Sequence, residues 1–310
     1  MFFKKRKKNF HQRKRIISKN DKVDFFHYFG SERGYGCIAK QDISKGELLL
    51  QVPYEDCLWG KDEVDLLHVI KAAAGDVHLE RVRSSGSLDA VILDPLPVVG
   101  KCSFSFLYDQ TIKPLINLGF EDWILAYMLS RCFQSIRGEG FGLAAVPMAD
   151  QFNHSLRNFN TRFREIVEEK VFVFFAECDI KKGDEILNNY GIESDLEMML
   201  THGFVENIND LNEIVFPLHY LKEENESGDC GEIELIKINV DAANVIPREL
   251  LDAMPAFPEF KHQLKNGLKR AVSRLLLDLE TVSVSHDKLT HIIAKDRENC
   301  RAYLDMLNKV

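Results

Sequence analysis

The chain has 310 residues and a mass of 35.6 kDa, room for two ordinary domains or for one domain with a large insertion. With 45% hydrophobic and 28% charged residues it is globular in composition, neither disordered nor fibrous, and no apolar run approaches the ~18 residues of a membrane span. Asp+Glu 48 against Lys+Arg 40 gives a net charge of −8, which argues against a protein that coats nucleic acid.

The charge is unevenly placed. Residues 1–20 hold nine basic side chains (Lys4, Lys5, Arg6, Lys7, Lys8, Arg13, Lys14, Arg15 and Lys19) and no acid. Removing those nine from the 40 leaves a body of net charge −17, and an acidic body favours a basic partner. The arm reads as a nuclear-localisation segment, a nucleic-acid contact, a transit peptide or a solvated tail. It lacks the long apolar core of a secretory signal. Seven cysteines, at 37, 57, 102, 132, 178, 230 and 300, form no CxxC or CxC, so no zinc site is expected. Their odd number fits reduced thiols in the nucleus or the cytosol.

After the arm, Phe25–Phe29 is apolar and aromatic. Gly34-Tyr35-Gly36 follows, then Cys37–Lys40, a turn at Ser44-Lys45-Gly46, and Leu48–Pro53, a strand–turn–strand pattern. The GxG lacks the third glycine and the following helix of a dinucleotide site. Residues 57–140 look mostly helical and inserted. Their clearest helix is Glu121–Ile136, apolar nearly all round, with Arg131 near the centre of the face formed by Ile124, Tyr127, Met128 and Ser135. A buried arginine there needs an anion, either a protein carboxylate or a ligand carboxylate.

The segment Ala39–Glu47 is echoed by Ala176–Asp184. Five of nine positions are identical (Ala39/Ala176, Asp42/Asp179, Ile43/Ile180, Lys45/Lys182 and Gly46/Gly183). Either the chain builds the same corner twice, or two common turns coincide. Beyond the second copy, Asp195–Leu200 reads as helix, Glu213–Leu218 and Glu232–Val240 as strands, and Glu223–Gly231 as a polar loop. From Pro247 onward the pattern is helical, with an apolar stripe of Leu289, Ile292, Ile293, Cys300, Tyr303, Leu304 and Leu307.

Three segments carry the chemistry: Arg33-Gly34-Tyr35-Gly36, Asp150-Gln151-Phe152-Asn153-His154-Ser155, and Gly183-Asp184-Glu185-Ile186 leading to Tyr190-Gly191. His154 has no second histidine at metal spacing, and Ser155 has no GxSxG context, so neither a metal centre nor a serine hydrolase is read here. In this order the segments resemble a SET domain. The wide spacing, Ser130-Arg131-Cys132-Phe133, Val146-Pro147-Met148-Ala149-Asp150 and Thr201-His202-Gly203-Phe204-Val205-Glu206 resemble one branch, the Rubisco large-subunit methyltransferase-like proteins. The resemblance covers about residues 25–220, and more loosely the helical C-terminus.

That resemblance implies an α+β, strand-rich SET fold with a helical insertion at about 57–140, within a domain spanning 21–220. A mainly helical, substrate-binding C-terminal domain at 221–310 would follow it, and the basic arm 1–20 would precede it. The Asn153–His154 and Tyr190 segments would form a pseudoknot-like crossing. The implied methyl donor is S-adenosyl-L-methionine, contacted by Arg33, Gly34, Tyr35, Arg131, Asp150, Asn153, His154, His202, Gly203 and Phe204. Tyr190 would be the catalytic tyrosine, and Phe133, Phe163 and Phe204 would line the substrate channel. Two positions depart from the branch: Arg33 stands where Glu is frequent, and His202 where Tyr is frequent. The implied activity is protein-lysine N-methylation of a lysine in a basic segment, in the nucleus or also the cytoplasm. No metal, no membrane and no direct nucleic-acid contact outside the arm are expected. One alternative is protein-histidine methylation, as in the related actin-modifying branch, where Asn is typical at the place of Phe133. The other is a catalytically silent SET-fold binding module.

Overall fold

The computed structural model describes residues 17–30, 34–91, 93, 98–99, 101–136, 142–191, 194–205, 213–221, 235–240, 258–284 and 287–309. Arg33, most of the basic arm and the polar loop Glu223–Gly231 lie outside them. The chain divides into two compact units, residues 1–91 with 120–192, and residues 92–119 with 193–310.

Three sheets build the first unit. The first orders Ser18–Lys19, Leu48–Pro53, Val171–Ala176 and Thr161–Ile166, all antiparallel. The arm's last residues are therefore strand, paired with Leu50 and Gln51. The second orders Val23–Tyr28, Tyr35–Ala39, Glu185–Asn188 and Asn153–His154. The third orders Leu58–Gly60, Gly142–Ala145 and Cys132–Ser135. Phe25 of the second sheet packs on Phe152 (5.6 Å between ring centres), Phe152 on Phe174 (5.1 Å), and Phe174 on Phe163 (5.0 Å). This aromatic line joins the first two sheets through one core.

The echoed corners are the same structure, and they clasp each other. Ile43 N–H donates to the Ile180 carbonyl and Ile180 N–H to the Ile43 carbonyl, both at 2.9 Å. The flanking backbone N–H bonds repeat across this pair. Gly46 N–H reaches the Ala176 carbonyl and Gly183 N–H the Ala39 carbonyl, each at 2.8 Å. Lys45 N–H donates to Asp179 Oδ1 at 2.8 Å, and Lys182 N–H to Asp42 Oδ1 at 2.9 Å. The shared glycine takes φ +80° at Gly46 and +92° at Gly183, where a side chain would be strained. Each isoleucine is buried, at 1% exposure.

The helix expected over Glu121–Ile136 is shorter. It runs Asp122–Arg131, and the chain turns extended at Cys132 (φ −99°, ψ 149°). Cys132–Ser135 then pairs with Gly142–Ala145. Glu165 fixes the far end of that strand, accepting from Ser135 Oγ at 2.7 Å and from Ile136 N–H at 2.8 Å. Strand pairing and this carboxylate outweigh a helical period that the apolar residues alone would continue. Arg131 thus sits at a helix C-terminus, where the helix dipole favours a cation.

The second unit is mainly helical. It holds Ser103–Leu107, Lys113–Ile116, Asp195–His202, and the long helices Pro258–Thr281 and Asp287–Lys309, with a two-stranded ladder of Glu213–Pro217 and Leu235–Asn239. Leu268, Val272, Leu275 and Leu279 of one long helix, and Leu289, Ile293, Cys300, Tyr303 and Leu307 of the other, are buried. Asp296 joins three elements. Its carboxylate accepts from Ser103 Oγ at 2.8 Å and Ser103 N–H at 3.2 Å, while Val215 N–H donates to Ser103 Oγ at 3.1 Å.

Burial pushes the Asp296 carboxyl up to about 7, against the two bonds from Ser103. Between about pH 4, where an unfolded aspartate titrates, and pH 7, the native state holds a proton that the unfolded state releases. Stability therefore falls as pH rises through that window, and the loss is complete above it. Asp296→Asn keeps an acceptor for Ser103 N–H and gains a donor towards Ser103 Oγ. We expect it to flatten the slope and to stabilise the protein above pH 7 by up to about 4 kcal/mol. Denaturation midpoints from pH 4 to 9 test this, and the same slope in both proteins would contradict it.

Candidate active site

The second sheet brings the three chemical segments side by side. Glu185–Asn188 pairs antiparallel with Tyr35–Ala39 (Ile186 opposite Cys37) and parallel with Asn153–His154 (Leu187 opposite Asn153, Asn188 opposite His154). Ser155 N–H continues the contact to the Asn188 carbonyl at 2.9 Å. Tyr190 follows directly from the central strand. Its N–H donates to His154 Nδ1 at 3.1 Å, and the two rings lie 4.9 Å apart. Its hydroxyl donates to the Phe152 carbonyl at 2.8 Å. Burial raises the Tyr190 phenol, so it stays protonated at neutral pH.

Gly36 faces Asn153 across Ile186 and its neighbours. A Cβ on Gly36 would lie 2.4 Å from Asn153 Nδ2 and 3.1 Å from Glu185 Oε1. Only a glycine leaves Asn153 Nδ2 free to donate to Glu185 Oε1, which it does at 2.8 Å. Gly34 turns the chain at φ +65°. Tyr35 is half-exposed and packs its ring 5.1 Å from that of Tyr28.

Arg131 and Asp150 form the other wall. The Arg131 guanidinium donates through Nη1 to the Asp150 backbone carbonyl at 2.7 Å, so its partner is a peptide oxygen and not a carboxylate. Its Nε–H is buried and has no protein acceptor. The Asp150 carboxylate accepts from His78 Nε2 at 2.9 Å and Tyr127 Oη at 3.1 Å on one oxygen, and from Gln151 Nε2 at 3.1 Å on the other. Burial acts to raise this carboxyl, but His78, then Arg131 and Gln151, outweigh it and hold it below the usual carboxylate range.

Phe133 and Phe163 are half-buried, with ring centres 5.2 Å apart. His202, Gly203 and Phe204 belong to the second unit. There, Gly203 caps helix Asp195–His202 at φ +73°, His202 Nδ1 lies 2.7 Å from Thr201 Oγ1, and the His202 and Phe204 rings are 6.1 Å apart. Within the first unit the structure thus gathers Gly34, Tyr35, Arg131, Asp150, Asn153, His154 and Tyr190. Three participants were missed by sequence reasoning. Glu185 lay within a quoted motif, and its neighbour on the sheet, Asn153, was the available signal. Tyr127 was read only as helix face. His78 sits in a stretch without any motif and carries no signal at all. Among the described residues, no three His, Cys, Asp or Glu side chains converge as metal ligands, and no helix is long and apolar enough to cross a membrane.

Comparison with known proteins fits this geometry. The SET domain family matches residues 34–191, half of the chain, and the chain belongs to that family. Similar solved structures include the SET domain of LSMT bound to lysine and AdoHcy, at 16% identity over 94% of this chain and 88% of that one, with a TM-score of 0.53. Another is Rubisco LSMT bound to AdoMet, at 17% identity over 93% and 86%, TM-score 0.53. A third is Rubisco LSMT bound to sinefungin and monomethyllysine, at 16% identity over 93% and 87%, TM-score 0.51. At these identities the likeness is one of fold. A sequence comparison with curated proteins gives no match.

Gly36→Ala should displace Asn153 and cost roughly 1–3 kcal/mol, the range for overpacking a tight site. Gly34→Ala meets no neighbour within 4 Å and should cost only the strain of its positive φ, roughly 1 kcal/mol. Urea denaturation of the two variants checks the order, and a milder effect at Gly36 would contradict the close packing.

Proposed function

We propose that the protein is an S-adenosylmethionine-dependent protein-lysine N-methyltransferase. The observation that carries this reading is Tyr190, a half-buried, protonated phenol held by the Phe152 carbonyl with its ring tilted against that of His154, where the three motif strands meet. The LSMT structures bound to AdoMet, AdoHcy and lysine support it by their shared fold.

The residues present suit such a cofactor. The buried Nε–H of Arg131 lacks a protein acceptor, and a ligand carboxylate would supply one. Asn153, His154, Gly34 and Tyr35 would hold the rest. The cofactor, when bound, supplies an electrophilic methyl on a sulfonium. The chain's own task is to present a neutral amine in line with it. A free lysine at neutral pH is almost wholly ammonium, and deprotonating it costs about 5 kcal/mol. The half-buried walls of Phe133 and Phe163 disfavour the charged form and lower that cost. Their apolar surface also suits an alkyl chain more than an imidazole. Tyr190 orients the amine and the migrating methyl with its oxygen. A phenol raised by burial is not the base, so the proton leaves to water.

Two substitutions test the assignment by methyl-transfer assay and calorimetry. Tyr190→Phe should retain most cofactor affinity and lose about 10²-fold or more in kcat. Near wild-type turnover would remove Tyr190 from the mechanism. Arg131→Met should weaken the cofactor by roughly 1.5–3 kcal/mol, the range for charge-assisted hydrogen bonds. Unchanged affinity with a lower Tm would mean that Arg131 serves only the fold.

A further inference from the structure

Two basic side chains, His78 and Arg131, lie close to Asp150 and its single carboxylate. His78 takes the carboxylate, while Arg131, one backbone carbonyl away, does not. Arginine pairs with carboxylates bidentately and strongly, so an arginine that binds only the peptide oxygen of an aspartate needs a reason. The reason is that three donors already share the carboxylate and Oδ2 takes two of them, which leaves no place for a bidentate pair. Asp150 Oδ2 already accepts from His78 and Tyr127, and Oδ1 from Gln151. His78 itself is firmly placed. Asp76 caps its helix by accepting from His78 N–H at 2.8 Å, and the imidazole packs edge-on to Phe26, with ring centres 6.1 Å apart. Arg81 lies over the same Phe26 ring, 4.0 Å from its centre. The histidine is only 8% exposed. Its Nε2–H donates to the carboxylate in either charge state of the ring.

We propose that His78 is a positioning residue of the active site: by occupying the Asp150 carboxylate it keeps the Arg131 guanidinium available to a ligand carboxylate. This rests on the methyl-transfer reading above. Without His78 a buried carboxylate loses a principal donor, and its nearest remedy is Arg131. Arg131 then turns from the peptide oxygen onto the side chain, and its charge is spent within the protein.

The test is calorimetric titration with two ligands, S-adenosylhomocysteine and 5′-methylthioadenosine. Both carry the adenosine thioether, but only the first carries an amino-acid carboxylate. His78→Leu should weaken S-adenosylhomocysteine about tenfold or more, and 5′-methylthioadenosine by less than about twofold. The same substitution in an Arg131→Met background should cost nothing further, because the two residues act in series. Adding Asp150→Asn to His78→Leu should restore S-adenosylhomocysteine to the level of Asp150→Asn alone. If His78→Leu does not fold, His78→Gln carries the test. It keeps a neutral donor and should give a smaller loss, again confined to the carboxylate-bearing ligand. Equal weakening of both ligands, or an undiminished affinity for S-adenosylhomocysteine, would overturn the role of His78 while leaving the methyl-transfer reading standing. A wild-type protein that binds neither ligand would overturn both.

Discussion

Ile43 and Ile180 each donate a backbone N–H to the other's carbonyl, and the first unit takes the register of two sheets from that exchange. On one side of the clasp the chain continues from Ala39 N–H on the Asp184 carbonyl into Ile38 opposite Glu185. On the other it continues from Ala176 N–H on the Glu47 carbonyl into Leu48 opposite Phe175. The corners seal the join with one carboxylate each, Asp42 on Lys182 N–H and Asp179 on Lys45 N–H. The Asp42 carboxyl is held below its ordinary range, chiefly by that backbone N–H. Because strand side chains alternate, a slip of one residue at the clasp would turn Gly36 and Ile186 to the wrong faces.

The site inherits this register. With Ile186 opposite Cys37 and Leu187 opposite Asn153, Gly36 comes under the Asn153 amide, and the chain leaves the central strand at Tyr190 against His154. The third sheet and helix Asp122–Arg131 then supply Arg131 at a helix end, and the short turn through Asp150 supplies the carbonyl of Phe152. Three of the bonds in this arrangement end on backbone atoms: the Asp150 and Phe152 carbonyls and the Tyr190 N–H. Under the proposed activity, function would rest on few side chains: Tyr190, Arg131 and the groups that orient them.

Much of this could be read from the residues, for identifiable reasons. The echoed nonapeptide was visible because a turn with a buried isoleucine and a left-handed glycine leaves a fixed imprint, though its two copies gave no sign that they bind each other. Strand Leu48–Pro53 stood out as an apolar run of strand length. The helix after Glu121 was drawn too long, since Cys132, Phe133 and Ile136 extend its apolar pattern. The forces that end it, the Gly142–Ala145 strand and Glu165, come from elsewhere in the sequence. His78 and Tyr127 were illegible as site residues for the same reason: their meaning lies in contacts across 72 and 23 residues to one buried carboxylate.

The central claim is that this site transfers a methyl group to a lysine amine. The most direct measurement is to incubate the protein with methyl-labelled S-adenosylmethionine and lysate from cells that lack it, hydrolyse the labelled protein fully, and identify the amino acid that carries the label. The account predicts label in Nε-methyllysine, absent when Tyr190→Phe replaces the wild type. Label in methylhistidine, or no label with a folded protein that binds the cofactor, would contradict it.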